Sequence, residues 1–206
     1  MTQRIDDVRK RAQRIVQEAN VLLDGHFDFG NGYHGRVYLN PHMLFARPAT
    51  IWQLAQDLLD ILPYELTAQV QAVVGPATGG ALLAHTLAGL LDGRRSLEHA
   101  PCVFAPVDFH PEQGLRLRST YQRVLAGKRV LVADDVRNTG KTLEHCVELV
   151  RKAGGEVLAT AQIYDRMATV VHLDVPNHAL LEYSARDIYT STTCPLCAAG
   201  TPLTSF

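Results

Sequence analysis

The sequence predicts an α/β fold built on a doubly wound, mainly parallel sheet. Three observations carry that expectation. Short runs with apolar interiors recur along the chain at Val70–Gly75, Cys102–Val107, Lys128–Ala133 and Glu156–Tyr164. Segments of helical period, Gly79–Leu91 and Lys141–Ala153, alternate with them. The strand runs are continuous rather than alternating, the pattern of strands covered by helices on both faces. A chain of 206 residues, 47% hydrophobic and 20% charged, suits one such domain with a small appended part.

The elements follow in order. Residues 4–23 read as an amphipathic helix, with Ile5, Val8, Ala12, Ile15, Ala19 and Leu22 at steps of three and four, closed by Asp24-Gly25. The stretch Gly25–Gly35 is too glycine-dense for regular structure and feeds a short strand near Arg36–Leu39. Thr50 followed by Gln53 reads as a capping box for a second helix, which Pro63 stops. The strand and helix runs then alternate. Lys141–Ala153 carries Leu143, Cys146, Val147 and Val150 on one face, and Gly154-Gly155 closes it. Ala179–Tyr183 reads as a last strand.

Composition narrows the function classes. A net charge of −1 without a basic stripe argues against a nucleic-acid surface. No run approaches ~18 unbroken apolar residues, so no membrane span is expected. The opening residues Met1–Asp7 are polar and charged, unlike a secretory signal. Four cysteines do not make a disulfide scaffold, and the cytoplasm is the expected location.

Ligands of such sheets bind at the carboxyl ends of the strands. There the run Val130-Leu131-Val132-Ala133-Asp134-Asp135-Val136-Arg137-Asn138-Thr139-Gly140-Lys141-Thr142 is the most informative. Four apolar residues make a buried strand, two carboxylates mark its end, and a Thr-Gly-Lys-Thr turn enters a helix. That turn offers backbone N–H groups, two hydroxyls and the positive end of a helix dipole, which suit a phosphate. Two carboxylates beside a phosphate cradle repel each other. Accepting hydrogen bonds from sugar hydroxyls, directly or through hydrated Mg²⁺, gives the pair a purpose. Gly140-Lys141-Thr142 is not a nucleoside-triphosphatase loop, because that pattern needs glycine where Asp135 stands.

In order and spacing this run resembles the 5-phosphoribosyl-1-pyrophosphate (PRPP) signature of type I phosphoribosyltransferases. The resemblance implies that Asp134 and Asp135 bind the ribose hydroxyls and Mg²⁺. It implies that Arg137, Asn138, Thr139, Gly140, Lys141 and Thr142 bind the 5-phosphate. Gly75–Ala84, by itself a common glycine-rich strand-to-helix turn, is similar to the family's pyrophosphate loop, with Ala77, Thr78, Gly79 and Gly80 as its contacts. The pattern Gly25-His26-Phe27, Gly32 and Tyr38 resembles the orotate branch, as does Asp165-Arg166. That branch implies base contacts from Arg166, with Phe27, Phe29 and Tyr33 able to stack on a ring. A salt bridge is the other reading of Asp165-Arg166.

Two departures stand out. Gly30 occupies the place of a base-contacting lysine, and the hood stretch 108–120 contains no lysine at all. Arg116 and Arg118 are the hood cations left to stabilise departing pyrophosphate, by charge and not as proton donors. The implied activity is transfer of the 5-phosphoribosyl group to a nitrogenous base, orotate or a related one, by a homodimer. An adenine-type purine enzyme and a non-catalytic PRPP-binding regulator stay open. The implied layout is a single domain: a base-side segment over 1–45, a PRPP-binding core over 65–185 and a tail over 186–206. The tail holds Cys194-Pro195-Leu196-Cys197, which can be half of a zinc site, a redox pair or two plain thiols. Structural zinc needs four ligands, and His172, His178 or a partner subunit are the candidates to complete it. Cys102 and Cys146 are expected to pack as small hydrophobes, and the remaining histidines have no motif around them.

Overall fold

A computed structural model describes residues 2–29, 32–95, 100–112, 114–166, 171–183 and 188–205. Helix α1 (Thr2–Glu18) buries Val8, Ala12 and Val16. It is shorter than the expected 4–23, because Asn20 takes a φ of +52°, a conformation that ends helices. The chain then enters strand β1 (Leu22–Asp28), so the stretch expected to be irregular is largely sheet. Strand β1 pairs antiparallel with β2 (Tyr33–Leu39), with an irregularity between Asp24 and Phe27. Gly25 is accommodated because the Phe27 ring lies over it, 2.9 Å from where a Cβ would stand. Counting glycines missed this, since the aromatic cover replaces the absent side chain.

Two helices follow, α2 (His42–Phe45) and α3 (Pro48–Ile61). The expected capping box at Thr50 does not form. Pro48 opens α3 instead, its missing N–H costing nothing in a first turn, and Thr50 lies inside the helix. Leu62, just before Pro63, is the C-cap as expected. A short helix α4 (Tyr64–Gln69) leads to the main sheet.

That sheet contains β3 (Ala72–Pro76), β4 (Val103–His110), β5 (Gly114–Arg116), β6 (Arg129–Arg137), β7 (Glu156–Asp165) and β8 (Asn177–Glu182). Their order is β5-β4-β3-β6-β7-β8, parallel except for β5. Alternate residues of β3 and β6 feed two cores. Val73, Leu131 and Ala133 face the layer holding α1, α3 and α5 (Gly79–Gly93). Ala72, Val74, Val130 and Val132 face the layer with α6 (Ser119–Leu125) and α7 (Lys141–Lys152). Gly154, at φ +80°, ends α7 as the sequence suggests. No described helix is long and apolar enough to cross a membrane.

A second sheet has the order β1-β2-β9, where β9 is Ile188–Thr190. The tail then forms a short helix α8 (Pro195–Ala198) and returns to β1, bridging Phe27 to Thr204.

One polar contact inside the first layer is testable. Asp57 of α3 is fully buried, and Arg11 of α1 grips both its oxygens while Gln53 Nε2 donates to Oδ1 at 2.9 Å. Arg11→Ala leaves that carboxylate buried with one fewer charge-assisted partner. Because the Arg11 side chain is 43% exposed, the expected cost is about 1–2 kcal/mol. A Tm unchanged in thermal unfolding would refute it.

Candidate active site

The chain leaves β3 toward β4 on one side and leaves β6 toward β7 on the other. The crevice between the carboxyl ends of β3 and β6 is therefore a topological switch point, where ligands of open α/β sheets bind. Ladder register sets what meets there. Val74 pairs with Val132, which puts the Ala77–Gly80 loop beside Asp134 and Asp135. Gln162 pairs with Asp134 and Asp165 with Arg137, which brings Arg166 to the same end.

The glycines of the first loop allow close approach. A Cβ on Gly79 would overlap the Asp135 carboxylate and come within 2.6 Å of the Phe45 ring. One on Gly80 would stand 2.6 Å from Asp134 Oδ1. The two loops singled out in the sequence are thus in contact, backbone against carboxylates. Ala77 and Thr78 lie exposed at the loop tip, their shared peptide is cis, and the Ala77 N–H donates to the Val107 carbonyl at 2.8 Å.

The acid pair is not simply the end of its strand, because β6 continues to Arg137 against β7. Asp134 is buried and Oδ1 accepts from the Asp135 N–H at 2.9 Å, while Asp135 Oδ1 accepts from the Val136 N–H at 2.8 Å. Burial first, and the neighbouring Asp135 charge second, push the Asp134 carboxyl well above the usual carboxylate range. Beyond them Gly140, at φ +89°, caps α7. The first N–H groups of that helix have no carbonyl one turn back, which makes them donors for an anion. Asn138, Lys141 and Thr142 are exposed around this turn.

Arg137 and Arg166 stand behind it. Arg137 is buried, pairing through Nη1 with Asp165 at 3.1 Å and through Nη2 with the Val171 carbonyl at 3.2 Å. Its Nε is buried, has no hydrogen-bond partner among the described residues and lies beside Gly140. Arg166 donates from Nη1 to Asn138 Oδ1 at 3.2 Å, and its guanidinium lies 4.5 Å over the Phe29 ring. Its Nη2 is another buried donor without a partner among the described residues. Burial pulls the Arg166 guanidinium below the usual arginine value. The Asn138–Arg166 contact links the turn before α7 to the end of β7, and no short-range sequence pattern signals it.

Other expected residues sit apart. Phe27 is buried against Tyr38, with ring centroids 5.5 Å apart, so its face is already covered. Tyr33 is exposed at the start of β2. The expected hood is a hairpin, β4 running into β5 with Asp108 opposite Arg116. Arg118 pairs with Asp108, and both arginines border an open depression with Gln122 and Leu149. Strand β5 lies three places from β6 in the sheet, about 14 Å away. Among the described residues, no hydrogen bond or ion pair joins these arginines to the acid pair. Gly30 and Gln113 lie outside the described residues. Cys102 and Cys146 are buried in the cores, and burial raises both thiols, Cys102 to about 11.

An acid pair near the end of β6, the glycine turn that opens α7 and the Gly79-Gly80 backbone meet at one switch point. Residues 50–182 match the model of the phosphoribosyl transferase domain, and the chain belongs to that family. Its relatives include the orotate phosphoribosyltransferase of Carboxydothermus hydrogenoformans, 33% identical over 92% of this chain and 93% of that one. The orotate phosphoribosyltransferase of Erythrobacter litoralis is 34% identical over 80% of this chain and 79% of its own. In fold the chain is similar to the orotate phosphoribosyltransferase of Aeropyrum pernix, with TM-score 0.64, 22% identity, and coverage of 82% and 92%.

Proposed function

We propose that this phosphoribosyltransferase moves the 5-phosphoribosyl group of PRPP onto orotate or a closely related base, with release of pyrophosphate. The contact between the Gly79-Gly80 backbone and the Asp134 and Asp135 carboxylates carries the reading, because it joins an anion loop to acceptors for sugar hydroxyls. The orotate-named relatives support the choice of base.

In this reading Asp134 and Asp135 accept hydrogen bonds from the ribose. The 138–142 turn and the unpartnered Arg137 Nε hold the 5-phosphate, and Ala77–Gly80 receive the pyrophosphate. The bond from C1 to the pyrophosphate oxygen breaks and one from C1 to a ring nitrogen forms, through an oxocarbenium-like state. The nitrogen's proton leaves to water or to the departing pyrophosphate. Two adjacent carboxylates, one buried and repelled by the other, are a donor set suited to a hard dication. Bound there with PRPP, Mg²⁺ would neutralise charge on the leaving group. Arg166 would aim its spare Nη2 at a base carbonyl, with Phe29 fixing the guanidinium plane.

A homodimer and a cytoplasmic location belong to the same reading. Phe109, 70% exposed on the hood hairpin, is an apolar side chain suited to such an interface. Arg116 and Arg118 then serve best across the dimer, given their offset within their own sheet. A zinc ion on the tail cysteines Cys194 and Cys197 would be structural, since the pair is no part of the PRPP cradle.

The test is pyrophosphate release with PRPP, Mg²⁺ and a panel of bases. Release with orotate is expected. Release with adenine and not orotate would move the assignment to a purine enzyme. PRPP binding without release for any base would favour the regulator, the reading that Gly30 and the lysine-free hood support. Arg166→Ala should raise KM for the base roughly 10-fold or more and leave KM for PRPP within about twofold. Equal changes in both would remove its base-side role.

A further inference from the structure

The tail cysteines meet two histidines that carry no local motif. His26 of β1, His34 of β2, Cys194 and Cys197 each direct one donor atom to a common point, all four atoms lying within 4.8 Å of one another. His26 Nε2 is 3.3 Å from His34 Nδ1 and 3.4 Å from Cys194 Sγ. Cys197 Sγ is 3.2 Å from His34 Nδ1 and 3.7 Å from His26 Nε2. Zinc bonds of about 2.0–2.1 Å to nitrogen and about 2.3 Å to sulfur, at tetrahedral angles, separate such donors by roughly 3.3–3.8 Å. Four of the six donor pairs stand at 3.2–3.7 Å, close to those separations, and all six lie within 4.8 Å.

We propose that this chain binds one structural zinc ion through His26, His34, Cys194 and Cys197. Three further observations fit. First, His26, His34 and Cys194 are buried and Cys197 is exposed, which gives a closed site with one open approach. Second, His26 Nδ1 lies 2.8 Å from the Thr201 carbonyl, which can only accept. Nδ1 therefore carries the proton, and Nε2 presents its lone pair to the cluster, the outer hydrogen bond typical of metal-ligating histidine. Third, two cysteine sulfurs and two imidazole nitrogens make up the Cys₂His₂ donor set of structural zinc sites. Binding releases the two thiol protons to solvent. The histidines expected to complete the site, His172 and His178, are not the ones that do: His172 is exposed on a loop and His178 lies in β8.

The site has a structural consequence. It ties the tail to the β1–β2 hairpin, joining residues 168 apart in sequence. Other ties between them include His26 Nδ1 to the Thr201 carbonyl, Thr204 N–H to the His26 carbonyl at 2.8 Å and Asp28 N–H to the Thr204 carbonyl at 2.9 Å. The same hairpin leads to Phe29, on which Arg166 rests. Zinc would therefore pin the tail to the hairpin that leads to Phe29, and its binding free energy would add to folding.

Purified full-length protein, kept reduced, should contain about one zinc per chain by elemental analysis. Exchange with Co²⁺ should give the intense visible bands and near-ultraviolet thiolate charge transfer of tetrahedral S₂N₂ coordination. The double variant Cys194→Ser, Cys197→Ser should lose the metal, His26→Ala should bind it at least 10-fold more weakly, and His85→Gln should keep it. Chelation should lower Tm by roughly 5 °C or more. Absence of zinc together with no Co²⁺ spectrum in the unmodified protein would overturn the proposal, as would a Cys194–Cys197 disulfide in protein purified under reducing conditions. Metal content is read independently of phosphoribosyl transfer: a zinc-loaded protein that turns over no base refutes the activity alone, and an active zinc-free protein refutes this site alone.

Discussion

Asp134→Asn should yield a protein that is more stable and nearly inactive. In the folded chain the Asp134 carboxyl titrates well above its unfolded value, because burial and the Asp135 charge both disfavour ionisation. A raised folded pKa means that the native state binds more protons. Stability is then fully present at acid pH, below the unfolded aspartate value of about 3.9, and falls as pH rises through the folded pKa. At neutral pH the charged form is a standing cost. The amide removes it, and its Oδ1 can still accept from the Asp135 N–H. A Tm at neutral pH above that of the unsubstituted protein is expected, with a flatter dependence on pH. Turnover should move the other way. Losing one charged acceptor for the ribose and its cation should lower kcat/KM roughly 10²–10³-fold, the scale for one preorganised electrostatic group. Thermal unfolding across pH and the pyrophosphate assay check the two halves separately. A drop in Tm would reject the electrostatic account, and unaltered turnover would reject the role of Asp134.

The second large effect is steric. Gly79→Ala places a methyl group into the Asp135 carboxylate and the Phe45 ring. Asp135 cannot swing aside freely, since Oδ1 is held by the Val136 N–H at 2.8 Å. The loop and the acid pair must separate, and a misplacement near 1 Å costs about 10²-fold in catalysis. The expected result is a loss of roughly 100-fold in kcat/KM, with PRPP affinity falling in parallel in calorimetry. Gly75→Ala strains the same loop from its strand side. Its Cβ would meet the Gly80 carbonyl, with its carbon at 2.5 Å, and the Ala133 oxygen at 2.9 Å, all backbone atoms. A destabilisation of about 3 kcal/mol, visible in denaturant unfolding, is expected there.

The parts of this molecule that could be read early share one property: their signal is local. The run from Val130 to Thr142 encodes strand, acids, turn and helix within thirteen consecutive residues, and the structure builds them consecutively. The Gly75–Ala84 turn and the buried strands are local in the same sense. What failed was also local reading, applied where the cause lies elsewhere in the chain. The helix expected to reach residue 23 stops early because Asn20 turns and Leu22–Asp28 has a partner strand. Gly25 sits in a strand because Phe27 covers it. Thr50 lost the helix start to Pro48.

The sequence by itself determined the alternation of strands and helices, the acid pair with the turn that opens α7, and the glycine loop. Each of these is set by side-chain volume, period and backbone freedom over about ten residues. Only the tertiary structure decided which of them touch. Ladder register between β3 and β6 places Gly79 and Gly80 on Asp134 and Asp135. Register between β6 and β7 brings Arg166 to Asn138. The fold of the tail onto β1 assembles His26 and His34 around Cys194 and Cys197 from positions 160 or more residues apart. Contacts of that range depend on packing two sheets and two helical layers together, and no local pattern carries them.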